Sequence, residues 1–228
     1  MGSEVQVLSS AFLYFMMKVK TFPLGPLETN CYVVSEPESQ TAVVIDAPPG
    51  ALALIPAFLK ENGLSCAALL LTHSHTDHTA DAKALKDELK TSLYIHKNDL
   101  ENLESPGSDG LPLFCEVPPT SAEHLITEGE TLTFGPLQFD VIHTPGHTLG
   151  GVCFYSPKEG LLFSGDTLFK GSIGRLDFPK ADSEAMWTSL KKLEQLPKET
   201  TVYPGHGPST TLGAESWLGQ ARELFQDR

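Results

Sequence analysis

An unbroken apolar run, Ala67-Ala68-Leu69-Leu70-Leu71, ends in Thr72-His73-Ser74-His75-Thr76-Asp77-His78. The run reads as a buried strand, bounded downstream by polar residues. Four potential metal ligands, His73, His75, Asp77 and His78, then fall within six residues. A strand fixes its own end, so a loop leaving that end can hold ligands in a set geometry. Imidazole and carboxylate together suit zinc, iron or manganese. The competing reading is a solvated polar loop ahead of a helix. It leaves unexplained why the rest of the chain supplies further ligands at other strand ends.

Composition narrows the partners. Sixteen Lys and Arg against 29 Asp and Glu give a net charge of −13, and no Lys/Arg cluster interrupts it. Such a field repels phosphate backbones, which counts against nucleic acid and leaves a small molecule as the expected partner. No stretch approaches the ~18 apolar residues of a membrane span. Cys31, Cys66, Cys115 and Cys153 are widely spaced and form no CxxC pair. They read as buried free thiols, which fits a reducing, cytoplasmic setting. Met16 or Met17 opens a natural start, Met-Lys-Val-Lys-Thr. Residues 1–15 therefore read as an extension outside the fold, and 16–228 as one domain.

Along the chain, Lys18 to Phe22 is a short strand, and Asn30–Val34 with Thr41–Asp46 a hairpin rich in β-branched residues. A helix runs from about Ala51 to Asn62 with Gly63 as its stop, although Pro56 weakens its first turns. Thr79 to Leu89 carries Ala82, Leu85 and Leu89 at helical spacing. Ser92–His96 is a further strand. Asn98 to Ala122 is irregular and reads as a partly ordered flap over the site. Strand signals return from Leu125 to Thr144, at Val152–Tyr155, at Leu161–Ser164 and at Thr201–Tyr203. Helices cover about Ser183–Leu196, with Met186 and Trp187 in the core, and Ala214–Phe225. Two β-rich halves, each followed by helices, suit two packed sheets with helices outside.

Each later strand end carries another candidate: His147 in Thr144-Pro-Gly-His-Thr, Asp166 in Ser164-Gly-Asp-Thr, and His206 in Tyr203-Pro-Gly-His-Gly. Small residues and prolines beside them let the backbone turn sharply toward a shared point. Five histidines and two aspartates are too many for one tetrahedral ion. They suit two divalent cations sharing one carboxylate.

With His147, Asp166 and His206 in that order, the motif at His73 resembles the metallo-β-lactamase superfamily. The resemblance implies an α/β fold, the αββα four-layer sandwich of two mixed sheets flanked by helices. It also implies His73, His75 and His147 on a first metal, Asp77, His78 and His206 on a second, and Asp166 bridging. Zinc is the favoured ion, with iron or manganese as alternatives, and Asp77 takes a catalytic acid/base role. Within the superfamily, the stretches at Thr144–Thr148, Phe163–Phe169, Gly171–Arg175 and Pro204–Gly213 resemble glyoxalase II-like hydrolases of the short bacterial type. That implies hydrolysis of a thioester such as S-lactoylglutathione. Arg175 stands where the family places a cation on a glutathione carboxylate; pairing with Asp177 is the alternative. Pro208 departs from the family, which has a binding tyrosine there.

A rival resemblance is to persulfide dioxygenases, through Thr-Pro-Gly-His and Gly174-Arg-Leu-Asp-Phe178. It implies one iron on His73, His147 and Asp166. A lactonase or β-lactamase acting on another acyl substrate is a second alternative. Asp46 is expected either to orient a metal ligand or to cap a turn. His96 and His124 read as structural, and His143 as structural or as a partner of a ligand.

Overall fold

A computed structural model describes residues 17–226; the expected extension, 1–15, lies outside the described residues. The elements in order are β1 (Lys18–Leu24), β2 (Thr29–Glu36), β3 (Thr41–Ile45), α1 (Ala51–Glu61), β4 (Ser65–Leu70), α2 (Thr76–Thr79), α3 (Ala82–Leu89), β5 (Ser92–His96), α4 (Leu100–Glu104) and β6 (His124–Ile126). The second half follows with β7 (Thr131–Phe134), β8 (Leu137–His143), β9 (Val152–Ser156), β10 (Leu161–Gly165), α5 (Ser183–Glu194), β11 (Thr201–Pro204), β12 (Thr210–Thr211) and α6 (Ala221–Phe225).

Two six-stranded sheets result, ordered β1-β2-β3-β4-β5-β6 and β12-β11-β10-β9-β8-β7. Both are mixed: β3 to β6 run parallel, as do β10 and β11, and the remaining pairs are antiparallel. Three apolar layers hold them. Val43, Ile45, Ala68 and Leu70 of the first sheet meet Phe139, Val141, Phe154 and Phe163 of the second in the middle layer. The opposite faces of the same strands, Ala42, Val44 and Leu69, pack under Ala51, Ile55, Leu59 and Leu85 of α1 and α3. Cys153, Leu162 and Val202 pack under Met186, Trp187 and Leu190 of α5 and Phe225 of α6. A strand with apolar cover on both faces has no polar face, which is why the run before His73 does not alternate. The order helix, sheet, sheet, helix is the four-layer αββα sandwich.

Three local expectations change. The helix expected over Thr79–Leu89 is two pieces, α2 and α3, separated at Ala80–Asp81. Asp81 is drawn away: its Oδ2 accepts from Gly50 N and Leu52 N at 2.9 Å, capping the start of α1 instead. The helix expected over Ala214–Phe225 is confined to α6 behind one 3₁₀ turn, Leu218–Gln220. Upstream of it, Glu215 is buried and accepts from Gly171 N (2.8 Å), Thr210 Oγ1 and Trp217 Nε1 (both 2.5 Å), which fixes turns rather than a helix. The stretch from Asn98 to Ala122 begins with a 3₁₀ turn and α4, and its remainder has neither helix nor strand.

Candidate metal centre

The chain leaves β4 at Leu70, stays buried through Leu71 and Thr72, and delivers His73, His75, Asp77 and His78 to one edge of the sandwich. The chain brings His147 there after β8, Asp166 after β10 and His206 after β11. The parallel pair β10–β11 shifts register between Phe163 and Gly165 as it ends beside the site, with Gly205 N donating to Gly165 O at 2.8 Å. Strand β2 holds the last loop from the other sheet. Asn30 N donates to Gly205 O at 2.8 Å, and Asn30 Nδ2 to Pro204 O and Gly207 O at 2.9 Å.

Ligand atoms of three groups lie within 4.8 Å of one another: His73, His75 and His147; Asp77, His78 and His206; and His73, His78 and Asp166. The first two groups are the triads that the resemblance implies. Asp166 lies between them. Its Oδ1 is 3.3 Å from His78 Nε2, and its Oδ2 is 3.4 Å from His147 Nε2 and 3.6 Å from His206 Nε2. All seven residues thus meet.

The donor chemistry fits cations. Buried Nε2 atoms of His73, His78 and His147, and Oδ1 of Asp166, have no hydrogen-bond partner. Orphaned buried polar atoms are rare, and here four face one point. Their other ring nitrogens are occupied. His147 Nδ1 is 2.8 Å from Arg175 O and His206 Nδ1 is 3.1 Å from Leu27 O. A carbonyl only accepts, so each Nδ1 carries a hydrogen and Nε2 is the nitrogen left for a cation. Asp46, left-handed at φ 61° and fully buried, does the same for His78, with Oδ2 2.8 Å from Nδ1. That oxygen also accepts from Thr72 Oγ1 at 2.8 Å, and the hydroxyl faces His73 Nδ1 at 3.1 Å. The hydroxyl hydrogen goes to Asp46, so His73 Nδ1 donates to it. One carboxylate therefore orients two imidazoles.

The charges divide accordingly. Burial and then the neighbouring histidines hold His73 well below the usual imidazole range. Burial and His147 push His75 down to about 3. Burial opposes charge on Asp77, but His78, His206 and the Thr29 hydroxyl outweigh it, and the carboxyl lies far below its usual range. Burial is likewise outweighed at Asp166 by His78, His147 and His206, which bring it down to about 2. His78 goes the other way: burial disfavours its cation, yet Asp77, Asp166 and Asp46 raise it well above the ordinary value. Two carboxylates in a buried site call for positive charge, and without metal a proton on His78 supplies it.

Two glycines leave the room the cluster occupies. A Cβ at Gly174 would overlap Asp166 O and come 3.0 Å from His147 Nδ1. A Cβ at Gly205 would overlap Asp166 Oδ1 and lie 2.8 Å from His78 Cε1. Gly205→Ala must push Asp166 out of place, so the purified variant is expected to hold less than one metal ion per chain by elemental analysis. Two ions per chain in that variant would contradict the geometry.

A cleft of about 420 Å³ opens above the cluster, lined by Leu27, Phe169, Ile173 and Phe178 beside Asp77 and His206. Arg175 is at its rim. It is largely exposed, bonds Asp177 twice, at 2.9 and 2.6 Å, and lies 4.5 Å from the Phe178 ring. The pairing with Asp177 is formed, and the guanidinium still borders the cleft. His143 stays apart from the cluster: its ring stacks on His96 at 4.0 Å and its Nε2 faces Leu149 O at 3.0 Å. His124 stacks on Tyr94 at 4.3 Å. The four cysteines are free; Cys31 and Cys153 are buried, while Cys66 and Cys115 are partly exposed. Sequence reasoning missed Thr29, whose Oγ1 donates to Asp77 Oδ2 at 2.9 Å, and the carbonyls of Leu27 and Arg175. Carbonyls carry no residue-type signal.

Comparison with known proteins agrees with the site. The family model of the metallo-beta-lactamase superfamily matches residues 24–206. The crystal structure of BLEG-1 B3 metallo-beta-lactamase has 39% identity and a TM-score of 0.81, covering 91% of this chain and 100% of that one. The crystal structure of TTHA1623 in a di-iron-bound form has 41% identity and a TM-score of 0.73, covering 87% and 97%. Hydroxyacylglutathione hydrolase GloC of Haemophilus influenzae is 32% identical over 205 residues, 87% of this chain and 95% of that protein. A matched family model over most of the chain, a common sandwich and a His/Asp cluster for two metals lead to one conclusion: this chain belongs to the metallo-beta-lactamase superfamily.

Proposed function

We propose that the protein is a dinuclear metallo-hydrolase of the glyoxalase II type, hydrolysing S-lactoylglutathione or a related acyl thioester. One observation carries the reading: two three-residue ligand sets, with Asp166 between them, lie at the foot of an apolar cleft that has a guanidinium at its rim. His73, His75 and His147 would hold one cation, Asp77, His78 and His206 the other, with Asp166 between. Zinc is the ion we favour, because three imidazoles suit it in a tetrahedral site. Bound there, such ions lower the pKa of water from 15.7 to about 7 and polarise a carbonyl.

The chain's own residues do the rest. Phe169, Ile173 and Phe178 bury the acyl and thiol stems and exclude water. Arg175, unpaired from Asp177 or shared with it, offers two parallel N–H groups to a substrate carboxylate. Asp77 Oδ2 is held by Thr29 Oγ1 and lies 3.1 Å from His206 Nε2. From there it takes the proton of the attacking water and returns it to the departing sulfur, so that thioester and water become acid and free thiol.

The test is elemental analysis of purified protein beside turnover of S-lactoylglutathione and of glutathione persulfide. Two metals per chain with thioester hydrolysis is the expected result. One iron per chain, with oxygen consumed on the persulfide, would replace this reading by the dioxygenase. Two metals with turnover only of lactones or β-lactams would move the substrate to another acyl class.

A further inference from the structure

Asp99 follows β5, next to α4, and is 4% exposed. It occupies the N-cap position of α4, where an aspartate ordinarily accepts from the helix backbone. Here it makes no capping bond. The donors that reach its carboxylate come from elsewhere. Ser74 N and Thr148 Oγ1 donate to Oδ2 at 2.9 Å, and Gly150 N donates to Oδ1 at 2.6 Å. Ser74 sits between His73 and His75, on the loop that leaves the first sheet. Thr148 adjoins His147, on the loop that leaves the second sheet.

We infer that Asp99 is a positioning residue of the metal centre: its carboxylate ties the His73–His75 loop to the His147 loop and so fixes the spacing of one of the two ligand triads. This rests on the two-cation reading above. Three further observations support it. A Cβ at Gly150 would stand 2.5 Å from Asp99 Oδ1 and 2.7 Å from its Cβ, so only glycine admits this approach. The backbone of Gly150 is outside the left-handed region, so close contact rather than φ requires the glycine. Asn102, one turn along, donates from Nδ2 to Ser74 O at 2.9 Å and to Asp109 Oδ2 at 2.9 Å, which brings Asp109 to 3.9 Å from His75 Nε2. The segment after β5 thus grips the first triad from its protein side. No hydrogen bond of Asp99 reaches Asp77, His78 or His206.

The selectivity is the test. Metal-free protein is titrated with Zn²⁺ against a chromophoric chelator, and the Co²⁺ form is read by absorption, for the parent, Asp99→Asn and Thr148→Val. An amide of the same size accepts at only one of its two heavy atoms, so Asn leaves at least one donor unmet. One of two binding steps is expected to weaken by about 10- to 100-fold in Asp99→Asn, as when a ligand's supporting partner is lost, while the other changes by less than about threefold. The Co²⁺ band should change in intensity, and Thr148→Val should reproduce the pattern more weakly. A merely structural aspartate would lower the melting temperature of the metal-free protein and leave both steps as they are; that outcome overturns the inference. Should Asp99→Asn not fold, Thr148→Val decides: a selective loss supports the inference, and two unchanged steps overturn it. A parent that never takes up two cations would overturn the dinuclear reading, and this inference with it.

Discussion

Asp166→Asn is expected to abolish hydrolysis with the fold intact. Asp166 faces both triads, with oxygens 3.3 to 3.6 Å from His78, His147 and His206. A neutral amide would supply one oxygen and no charge, and its NH₂ would face imidazole lone pairs. Removing a single preorganised hydrogen-bond donor from an active site costs about 10²–10³ in rate. Loss of a group on which two cations depend should exceed that, so a fall of at least ~10³-fold in kcat is expected, with at most one metal retained. Circular dichroism and the elution volume should match the parent, because the apolar layers do not touch this side chain. A folded Asp166→Asn that keeps two metals and most of the parent's hydrolytic rate would remove the basis of the dinuclear model.

Metal removal should produce the second large effect. The cluster exists only in the folded chain, since its members come from four separate strand ends. A ligand present at about 1,000 times its Kd and bound only by the native state adds about 4 kcal/mol. In a chain of 150–250 residues each kcal/mol moves Tm by about 2–4 °C, so chelation should lower Tm by about 8–16 °C, and Zn²⁺ should restore it. The pKa shifts set the pH trend of reloading. His78 holds a proton in the metal-free state because its pKa is raised, and that proton must leave before Nε2 can ligate. Acid therefore opposes reloading and alkali favours it. Scanning calorimetry with and without chelator checks the first point. Melting points within about 2 °C of each other would mean that the cations contribute little to the native state.

The ligand candidates were legible because their chemistry is local. The seven follow the ends of apolar runs, and His73, His75, His147, Asp166 and His206 have Gly or Ser beside them, so that the pairing of buried strand and polar turn is visible one strand at a time. The sandwich was legible from two β-rich halves, each followed by helices, together with the family resemblance. What orients the ligands was not. Asp46 was placed at a strand end, but its reach to both His78 and Thr72 depends on a left-handed backbone in an aspartate. Leu27 and Arg175 act through their carbonyls. Asp99 lay inside a stretch that reads as irregular, and its carboxylate finds its donors on distant loops. The end of the chain misled for a similar reason. Residues 214–217 have helical composition, yet the Glu215 side chain binds three groups outside any helix.

The middle apolar layer, in which Ile45 and Leu70 meet Phe139 and Phe163, has a consequence for how the protein matures. His73, His75, Asp77 and His78 belong to one half, and His147, Asp166 and His206 to the other. A nascent chain with only its first half folded owns an incomplete chelator, and that half cannot discriminate among ions by geometry. Cofactor acquisition is thereby gated by the docking of the halves, a late event in a topology dominated by contacts distant in sequence.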